Sequence, residues 1–319
     1  MATAAAFRSS FACLWCGAAY ETRGRDDLEG WAQLCPTCLG RAGENPFLRF
    51  RLHAAIADRA AAGRDGQPPV DAPASAPPAP AAAPIAPAAA PTAAAEDDEM
   101  VAYYEARAPE YDDWYLRRGR YQHGLIDDMA WQADLDAATT WLDALPLGGR
   151  IVELATGTGW WSPLLATKGE LWCYDAAPAP LDRARDRLLA HRLRAHLHVR
   201  DAWADPEQVA DALFTGFWLS HVPRARLGEF LALTARWLRP GGTYAFIDSR
   251  FDRQSSAVDH APSPEAETST RRLNDGRTFT IPKVYYEPAE LEAALLAAGF
   301  GQATVTATPR FFLLGTASR

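Results

Sequence analysis

Short apolar runs alternate with amphipathic stretches over the C-terminal two thirds of the chain. Runs of the length expected for buried strands lie at residues 151–155, 171–174, 197–199, 214–219 and 244–247. Between them, residues 179–191 and 224–238 carry apolar side chains at three- and four-residue spacing, as amphipathic helices do. This alternation predicts an α/β fold with a doubly wound, mostly parallel sheet and helices on both faces.

The end of the chain departs from this alternation. Residues 278–286 predict a β segment, residues 288–298 a helix, and residues 303–316, rich in Thr, Val and Phe, a second β segment. Two β segments after the fifth strand suit a sheet whose last strand is antiparallel. We find no internal repeat.

A stretch rich in proline and alanine divides the chain. Residues 68–91 contain 9 Pro and 11 Ala among 24 residues. Proline lacks a backbone donor and fixes φ, so this segment is predicted to be an extended, disordered tether. The predicted organisation is therefore a small module over residues 1–60, a linker over 61–98, and the α/β domain over 99–319.

Composition and charge exclude several classes of protein. With 48% hydrophobic and 23% charged residues, the chain is not wholly disordered. Its 40 acidic against 32 basic residues give a net charge of −8, which disfavours broad binding to nucleic acid or anionic membranes. No apolar run reaches 18 residues and the start does not resemble a signal peptide, so we expect a cytoplasmic protein without a membrane anchor.

Four of the five cysteines lie within the first forty residues. Cys13 and Cys16 form one C-x-x-C pair, Cys35 and Cys38 form another, and 18 residues separate the pairs. Two such turns place four thiolates around one ion, so the pattern predicts a closed, structural Zn²⁺ site. A redox pair or disulfides are the alternative. The module resembles a zinc ribbon, and a protein partner is one expectation for what it binds. Cys173 is expected to be a buried hydrophobic residue.

The segment 151–159 combines an apolar strand with a glycine-rich turn. Gly157 and Gly159 allow positive φ and let a ligand lie against bare backbone. Asp175 follows the next predicted strand, where its carboxylate can accept hydrogen bonds from both hydroxyls of a ribose. A nucleoside-containing cofactor is therefore predicted at this edge of the sheet.

At this point the chain resembles the class I S-adenosylmethionine-dependent methyltransferases, whose first motif runs acid-x-Gly-x-Gly-x-Gly. Glu153, Gly157 and Gly159 match that motif, and Ala155 replaces its first glycine. A dinucleotide site would require a third glycine in G-x-G-x-x-G, but residues 160–162 are Trp-Trp-Ser. The resemblance implies a Rossmann-like fold and S-adenosylmethionine as cofactor.

The resemblance extends over residues 101–316 and implies a set of cofactor contacts. These are Tyr103, Arg107, Tyr111, Glu153, Ala155, Gly157, Gly159, Asp175, Asp201, Ala202 and Leu219. Asp201 and Ala202 would hold the adenine amino group, and Tyr103 and Tyr111 would cover the cofactor. The alternatives are a helix cap for Asp175, a cap or surface acid for Asp201, and core packing for the tyrosines.

His221 is the candidate general base, because it follows the fourth predicted strand at the edge where ligands bind in open α/β sheets. The alternative is a histidine that only caps the next helix, and His123 is a weaker candidate. An ionised acceptor would need no base. Four aromatic residues and the polar insertion 250–277, which we expect to be mobile, could form a lid over the acceptor; the aromatic residues are Trp114, Tyr115, Tyr121 and Trp131.

Several functions fit these patterns. The first is a methyltransferase that acts on a small molecule or a protein. The second is methylation of ribosomal RNA, which the acidic balance of the chain disfavours. The third is a scaffold or sensor that binds the cofactor without catalysis and is recruited through the zinc ribbon. A nicotinamide oxidoreductase is the least favoured, since the third glycine is missing.

Overall fold

The computed structural model describes residues 8–12, 18–24, 29–30, 35–37, 39 and 93–319, with side chains from residue 98 onward in the last range. It divides the chain into two units, residues 1–89 and 90–319. In the first unit, strands β1 (Ser10–Ala12) and β2 (Ala19–Glu21) pair antiparallel.

Most of the predicted zinc module lies outside the described residues. This holds for Cys13, Cys16 and Cys38, whereas Cys35 is described and buried. The predicted tether at residues 68–91 also lies outside them. The ligand set of the predicted zinc site therefore stays a prediction.

The second unit contains seven α-helices and nine strands among its described residues. The helices are α1 (Ala93–Arg107), α2 (Asp112–Tyr115), α3 (Leu125–Ala144), α4 (Ser162–Lys168), α5 (Pro178–Ala190), α6 (Leu227–Trp237) and α7 (Pro288–Ala297). The strands are β3 (Arg150–Leu154), β4 (Glu170–Asp175), β5 (His196–Val199), β6 (Ala210–Gly216), β7 (Leu238–Ser249), β8 (Thr268–Arg272), β9 (Thr278–Pro282), β10 (Gln302–Ala307) and β11 (Phe312–Ser318). Helix α1 begins inside the range predicted as linker.

Seven strands form the central sheet, in the order β10-β11-β7-β6-β3-β4-β5. The five strands from β3 to β7 run parallel, and β11 pairs antiparallel with both β7 and β10. The predicted mostly parallel, doubly wound α/β sheet with an antiparallel last strand is confirmed. Because β3 lies between β4 and β6, the strand order reverses at β3, which is where open α/β sheets bind ligands.

Three sequence predictions about strands are wrong in detail. The fourth strand ends at Gly216, because Phe217 adopts φ +59°, and residues 219–221 form a 3-10 turn. The segment 303–316 is a hairpin, whose turn is fixed by Asp134 through hydrogen bonds from the backbone N–H groups of Arg310 and Phe311. The segment 278–286 contributes β9 to a separate two-stranded sheet with β8.

The hydrophobic core covers both faces of the central sheet. One cluster includes Phe230, Trp237 and Tyr244, and the other includes Trp131 and Phe312. Trp131, predicted as part of a lid, is instead fully buried, and its Nε1–H donates to the Tyr115 carbonyl. The insertion 250–277 contains a 3-10 turn (Arg253–Ser255) and strand β8. Among the described residues, no helix is long and apolar enough to span a membrane.

Candidate active site

The turn after β3 is built from three residues with left-handed backbone. Ala155 has φ +52°, Gly157 +57° and Gly159 +69°. A Cβ at Gly157 would meet only the Tyr111 ring, at 3.8 Å, so this backbone faces open space. A Cβ at Gly159 would lie 2.7 Å from that of Ala184 on α5. The two glycines therefore differ: Gly157 leaves room for a ligand and Gly159 allows close helix packing.

Asp175 lies at the end of β4 and is held by the neighbouring backbone. Its Oδ2 accepts a hydrogen bond from the N–H of Gly157 at 2.7 Å, and its Oδ1 accepts one from Ala177 at 2.9 Å. Burial raises the pKa of this carboxyl to about 6, although both backbone hydrogen bonds oppose the shift. The carboxylate is thus fixed in position, and its remaining lone pairs can accept further hydrogen bonds.

A cavity with about 620 Å³ of empty space, which we call the first cavity, opens beside this turn. Six of the predicted cofactor contacts line it: Tyr111, Ala155, Gly157, Asp175, Asp201 and Ala202. Asp201 is exposed and accepts a hydrogen bond from the backbone N–H of Trp203, so it also acts as a local cap. The structure therefore brings the predicted residues from β3, β4 and β5 together at one edge of the sheet.

The other five predicted contacts do not line the first cavity. Leu219 packs in the core, and Gly159 lies against α5. Tyr103 and Arg107 line a different cavity, because their positions on α1 turn them away from the glycine-rich turn. Glu153 borders a small neighbouring cavity and accepts a hydrogen bond from the Ser162 hydroxyl. Burial raises the pKa of Glu153 to about 7.

Sequence reasoning missed several residues that line the first cavity. Met100, Val101 and Tyr104 come from α1, and Trp203, Phe217 and Trp218 follow β5 and β6. Successive residues of a helix point about 100° apart around its axis. Whether Tyr103 or Tyr104 faces the first cavity therefore depends on how α1 is rotated about its axis against the central sheet. The indole Nε1–H of Trp218 is buried without a hydrogen-bond partner, which fits a ligand acceptor.

Helices α1 and α2 are fixed over the first cavity by polar contacts. The Glu105 carboxylate accepts a hydrogen bond from the N–H of Ala179 at the start of α5. Asp112 accepts one from the Thr158 hydroxyl at 2.7 Å and forms an ion pair with Arg187. These contacts tie the segment before β3 to the glycine-rich turn, as the sequence resemblance implied.

A second cavity, with about 490 Å³ of empty space, adjoins the first. The two share the residues Tyr104, Tyr111, Phe217 and His221. The second cavity is also lined by three cations, Arg107, Arg271 and Lys283, and by the hydroxyls of several serines and tyrosines. Among the residues that the structure describes, no Asp or Glu lines it.

His221 lies where the two cavities meet, on the 3-10 turn after β6. Its Nδ1 lies 2.7 Å from the Pro282 carbonyl, which can only accept, so Nδ1 carries a proton. Burial, followed by the charge of Lys283, lowers the pKa of His221 well below its usual range, which keeps the ring neutral. Nε2 therefore accepts a hydrogen bond from the Tyr104 hydroxyl at 2.7 Å. Both ring nitrogens of His221 therefore have hydrogen-bond partners, whereas the predicted role of general base requires a nitrogen that can accept a proton from the substrate.

Comparisons with known proteins agree with this geometry. Residues 151–242 match the model of a methyltransferase domain. A solved structure of DhpI in complex with SAH is 29% identical, covers 71% of this chain and 98% of its own, and has a TM-score of 0.55. The complex of DhpI with SAM and HEP is 28% identical, covers 71% and 99%, and has a TM-score of 0.58. No curated protein matches the chain. The chain is an S-adenosylmethionine-dependent methyltransferase.

Proposed function

We propose that this methyltransferase binds S-adenosylmethionine in the first cavity and transfers the methyl group to a small molecule in the second. The observation that carries the proposal is that the two cavities meet at four shared residues, among them Tyr104 and His221. Methyl transfer needs the donor and acceptor in contact and in line, with water excluded. Two adjoining cavities under α1 and α2 meet that requirement.

The residues present fit the cofactor. Asp175 has fixed carboxylate oxygens for the ribose hydroxyls, and Gly157 leaves space beside them. Asp201 and Ala202 also line the first cavity and are proposed to bind the adenine, as the resemblance implies. Glu153, in the small neighbouring cavity, is proposed to bind the cofactor's ammonium group. The DhpI complexes with SAH and SAM support this assignment.

A bound S-adenosylmethionine supplies an electrophilic methyl group, so the protein's own residues need mainly to orient the reactants. We propose that His221 is a positioning residue that holds the Tyr104 hydroxyl at the junction of the cavities. Its neutral ring has one nitrogen on the Pro282 carbonyl and the other on Tyr104, so neither is open to a substrate proton. Tyr104 lines both cavities and is proposed to contact both ligands.

The size of the second cavity, about 490 Å³ of empty space, favours a small-molecule acceptor over a protein, ribosomal RNA or a purely scaffolding role. A DhpI complex that contains HEP together with SAM supports two ligands in such a fold. A nucleic-acid acceptor is further disfavoured by the net charge of −8.

For the N-terminal unit we propose the organisation that the sequence predicts. Cys13, Cys16, Cys35 and Cys38 would bind one structural Zn²⁺ in a ribbon-like module over residues 1–60. The linker was predicted over 61–98 and the methyltransferase domain over 99–319; because α1 begins at Ala93, we propose that the disordered part of the linker ends before that residue. The described residues contain no group of three metal ligands. We expect one zinc per full-length chain by metal analysis, lost in the Cys13→Ser variant. A protein partner for this module and a cytoplasmic location stay predictions.

Titration calorimetry on the full-length protein tests the main proposal. We expect S-adenosylmethionine to bind with micromolar affinity, NAD not to bind, and Asp175→Ala to weaken binding at least tenfold. The matched control is Asp182→Ala, which removes an exposed acid on α5 that pairs only with Arg185. Wild-type protein that binds NAD instead, or neither ligand, would overturn the proposed function.

A further inference from the structure

The three cations of the second cavity differ from most charged groups of the domain, because none of them forms an ion pair in the described part of the chain. Arg107 is 8% exposed, donates to the Tyr121 hydroxyl at 3.3 Å, and has its Nε without a hydrogen-bond partner. A buried guanidinium without a carboxylate partner is costly, unless a ligand supplies the negative charge.

Arg271 and Lys283 share this feature. Arg271 contacts the Ser256 hydroxyl and Nδ1 of His260, and both partners are neutral, since burial lowers the pKa of His260 to about 4. Lys283 donates to the hydroxyls of Ser220 at 2.7 Å and Ser249 at 3.1 Å. The charge of Asp248 on β7 acts on Lys283, but the two form no ion pair among the described residues, and the Asp248 carboxylate accepts hydrogen bonds from the backbone N–H groups of Ser220 and Ser249.

Neutral donors surround the cations. The hydroxyl-bearing side chains of Ser249, Ser255, Ser256 and Tyr285 line the cavity. An oxyacid group has several acceptor oxygens and no donor when ionised, so it would satisfy cations and hydroxyls together. A neutral alcohol or a cationic amine would leave the charges uncompensated.

We propose that the methyl acceptor is a small oxyacid anion, a carboxylate, phosphonate or phosphate, whose acid group is bound by Arg107, Arg271 and Lys283. This inference rests on the proposed function, because it assigns the second cavity to the acceptor.

The experiment uses the full-length protein saturated with S-adenosylhomocysteine and titrated with methylphosphonate and with acetate. We expect at least one of the two anions to bind, and the neutral ester dimethyl methylphosphonate not to bind. Arg271→Gln should weaken anion binding at least tenfold while the affinity for S-adenosylhomocysteine stays within twofold. Arg271 is chosen because it is only half buried, so its substitution is tolerated better than that of Arg107 or Lys283.

The matched control is Arg236→Gln, an exposed arginine on α6 that pairs with Asp205 and should leave anion binding unchanged. The preferred anion distinguishes a tetrahedral from a planar acid. Absence of anion binding, equal binding of the neutral ester, or equal weakening by both arginine variants would overturn the inference while the proposed function stands. If S-adenosylhomocysteine does not bind, the proposed function fails, and the same anion titrations without it decide whether the cationic cavity binds oxyacids.

Discussion

The two cavities place buried groups of opposite charge side by side. Beside the glycine-rich turn, burial raises the pKa values of Asp175 and Glu153, and neither acid forms an ion pair among the residues that the structure describes. In the second cavity, burial lowers the pKa of Lys283, and Arg107 and Arg271 line the same space. The first site is therefore acidic and the second is basic.

The difference indicates what each cavity is built to bind. A buried group of one sign carries a desolvation cost that a ligand of the opposite sign offsets. The proposed cofactor is cationic at its sulfonium and ammonium groups, and the proposed acceptor is an anion. Each ligand then neutralises its own cavity, and the two opposite charges attract where the methyl group is transferred.

Lys283→Met should change the pH dependence of stability most. The lysine pKa falls from an unfolded value of 10.5 to about 7 in the folded protein. Between these values the unfolded chain binds more protons than the folded one. The free-energy cost of burying the charged lysine is therefore fully present below pH 7 and disappears as the pH rises to 10.5. A shift of this size corresponds to at most about 5 kcal/mol. In urea unfolding between pH 6 and pH 9, the free energy of unfolding of the variant should rise relative to that of the wild type as the pH falls.

The control for this experiment is Lys168→Met, which removes the only other lysine of the chain. Charged groups that act on Lys283 are Asp248, which favours its charge, and Arg107 and Arg271, which oppose it. Equal pH profiles for the two lysine variants would show that the second cavity does not disfavour positive charge.

Glu153→Gln should change the pH dependence of stability in the opposite direction. The pKa of this acid rises from 4.5 unfolded to about 7 folded, so the folded chain binds more protons in that window. The free-energy cost of burying the ionised carboxylate is absent below pH 4.5 and fully present above pH 7, where it reaches about 3 kcal/mol. The variant should therefore gain on the wild type as the pH rises from 5 to 8 in urea unfolding. Glu229→Gln, at an exposed acid of α6, should show no such trend.

The two glycines of the turn should separate folding from ligand binding. Gly159→Ala places a methyl 2.7 Å from the Ala184 Cβ, and overpacking of this kind destabilises by about 1–3 kcal/mol. The methyl added by Gly157→Ala would lie no closer than 3.8 Å to the atoms around it, so this variant should lose less stability. Its methyl would instead enter the first cavity. Thermal unfolding and S-adenosylmethionine titration compare the pair. A larger loss of stability for Gly157→Ala would contradict the assignment.

Ala155→Gly should have the smallest effect and should stabilise. Ala155 adopts φ +52°, which costs about 1 kcal/mol more for alanine than for glycine. Relief of this strain should raise the melting temperature by a few degrees for a domain of this size. A fall in melting temperature would show that the alanine methyl packs favourably beside the first cavity.

Much of the fold could be predicted from the sequence because its signals are local. Residues 171–174 were predicted as a strand and β4 spans Glu170–Asp175, since a buried parallel strand is a continuous apolar run. Gly157 and Asp175 were predicted as one site, and a 2.7 Å hydrogen bond joins them. Trp131 was wrongly predicted to be part of a lid. An aromatic side chain on an amphipathic helix gives the same sequence pattern whether it covers a ligand or packs in the core.

The second cavity could not be predicted in this way. Arg107, Arg271 and Lys283 come from α1, β8 and the residue after β9, and no spacing pattern links them. The sequence analysis named Tyr103 and not Tyr104 as a cofactor contact, and it could not show that the Tyr104 hydroxyl lies 2.7 Å from Nε2 of His221.

The α/β class, the antiparallel last strand, the glycine-rich turn and the acid at the end of β4 could all be predicted, because each depends on residues close in the chain or on a repeating pattern. Tertiary packing was needed to place Tyr104 of α1 at the first cavity and Lys283 against Ser220 and Ser249. It also brings together three cations that form no ion pair with any carboxylate in the described part of the chain. These features depend on how distant segments pack, and burial of charge is a property of the packed molecule, not of any segment alone.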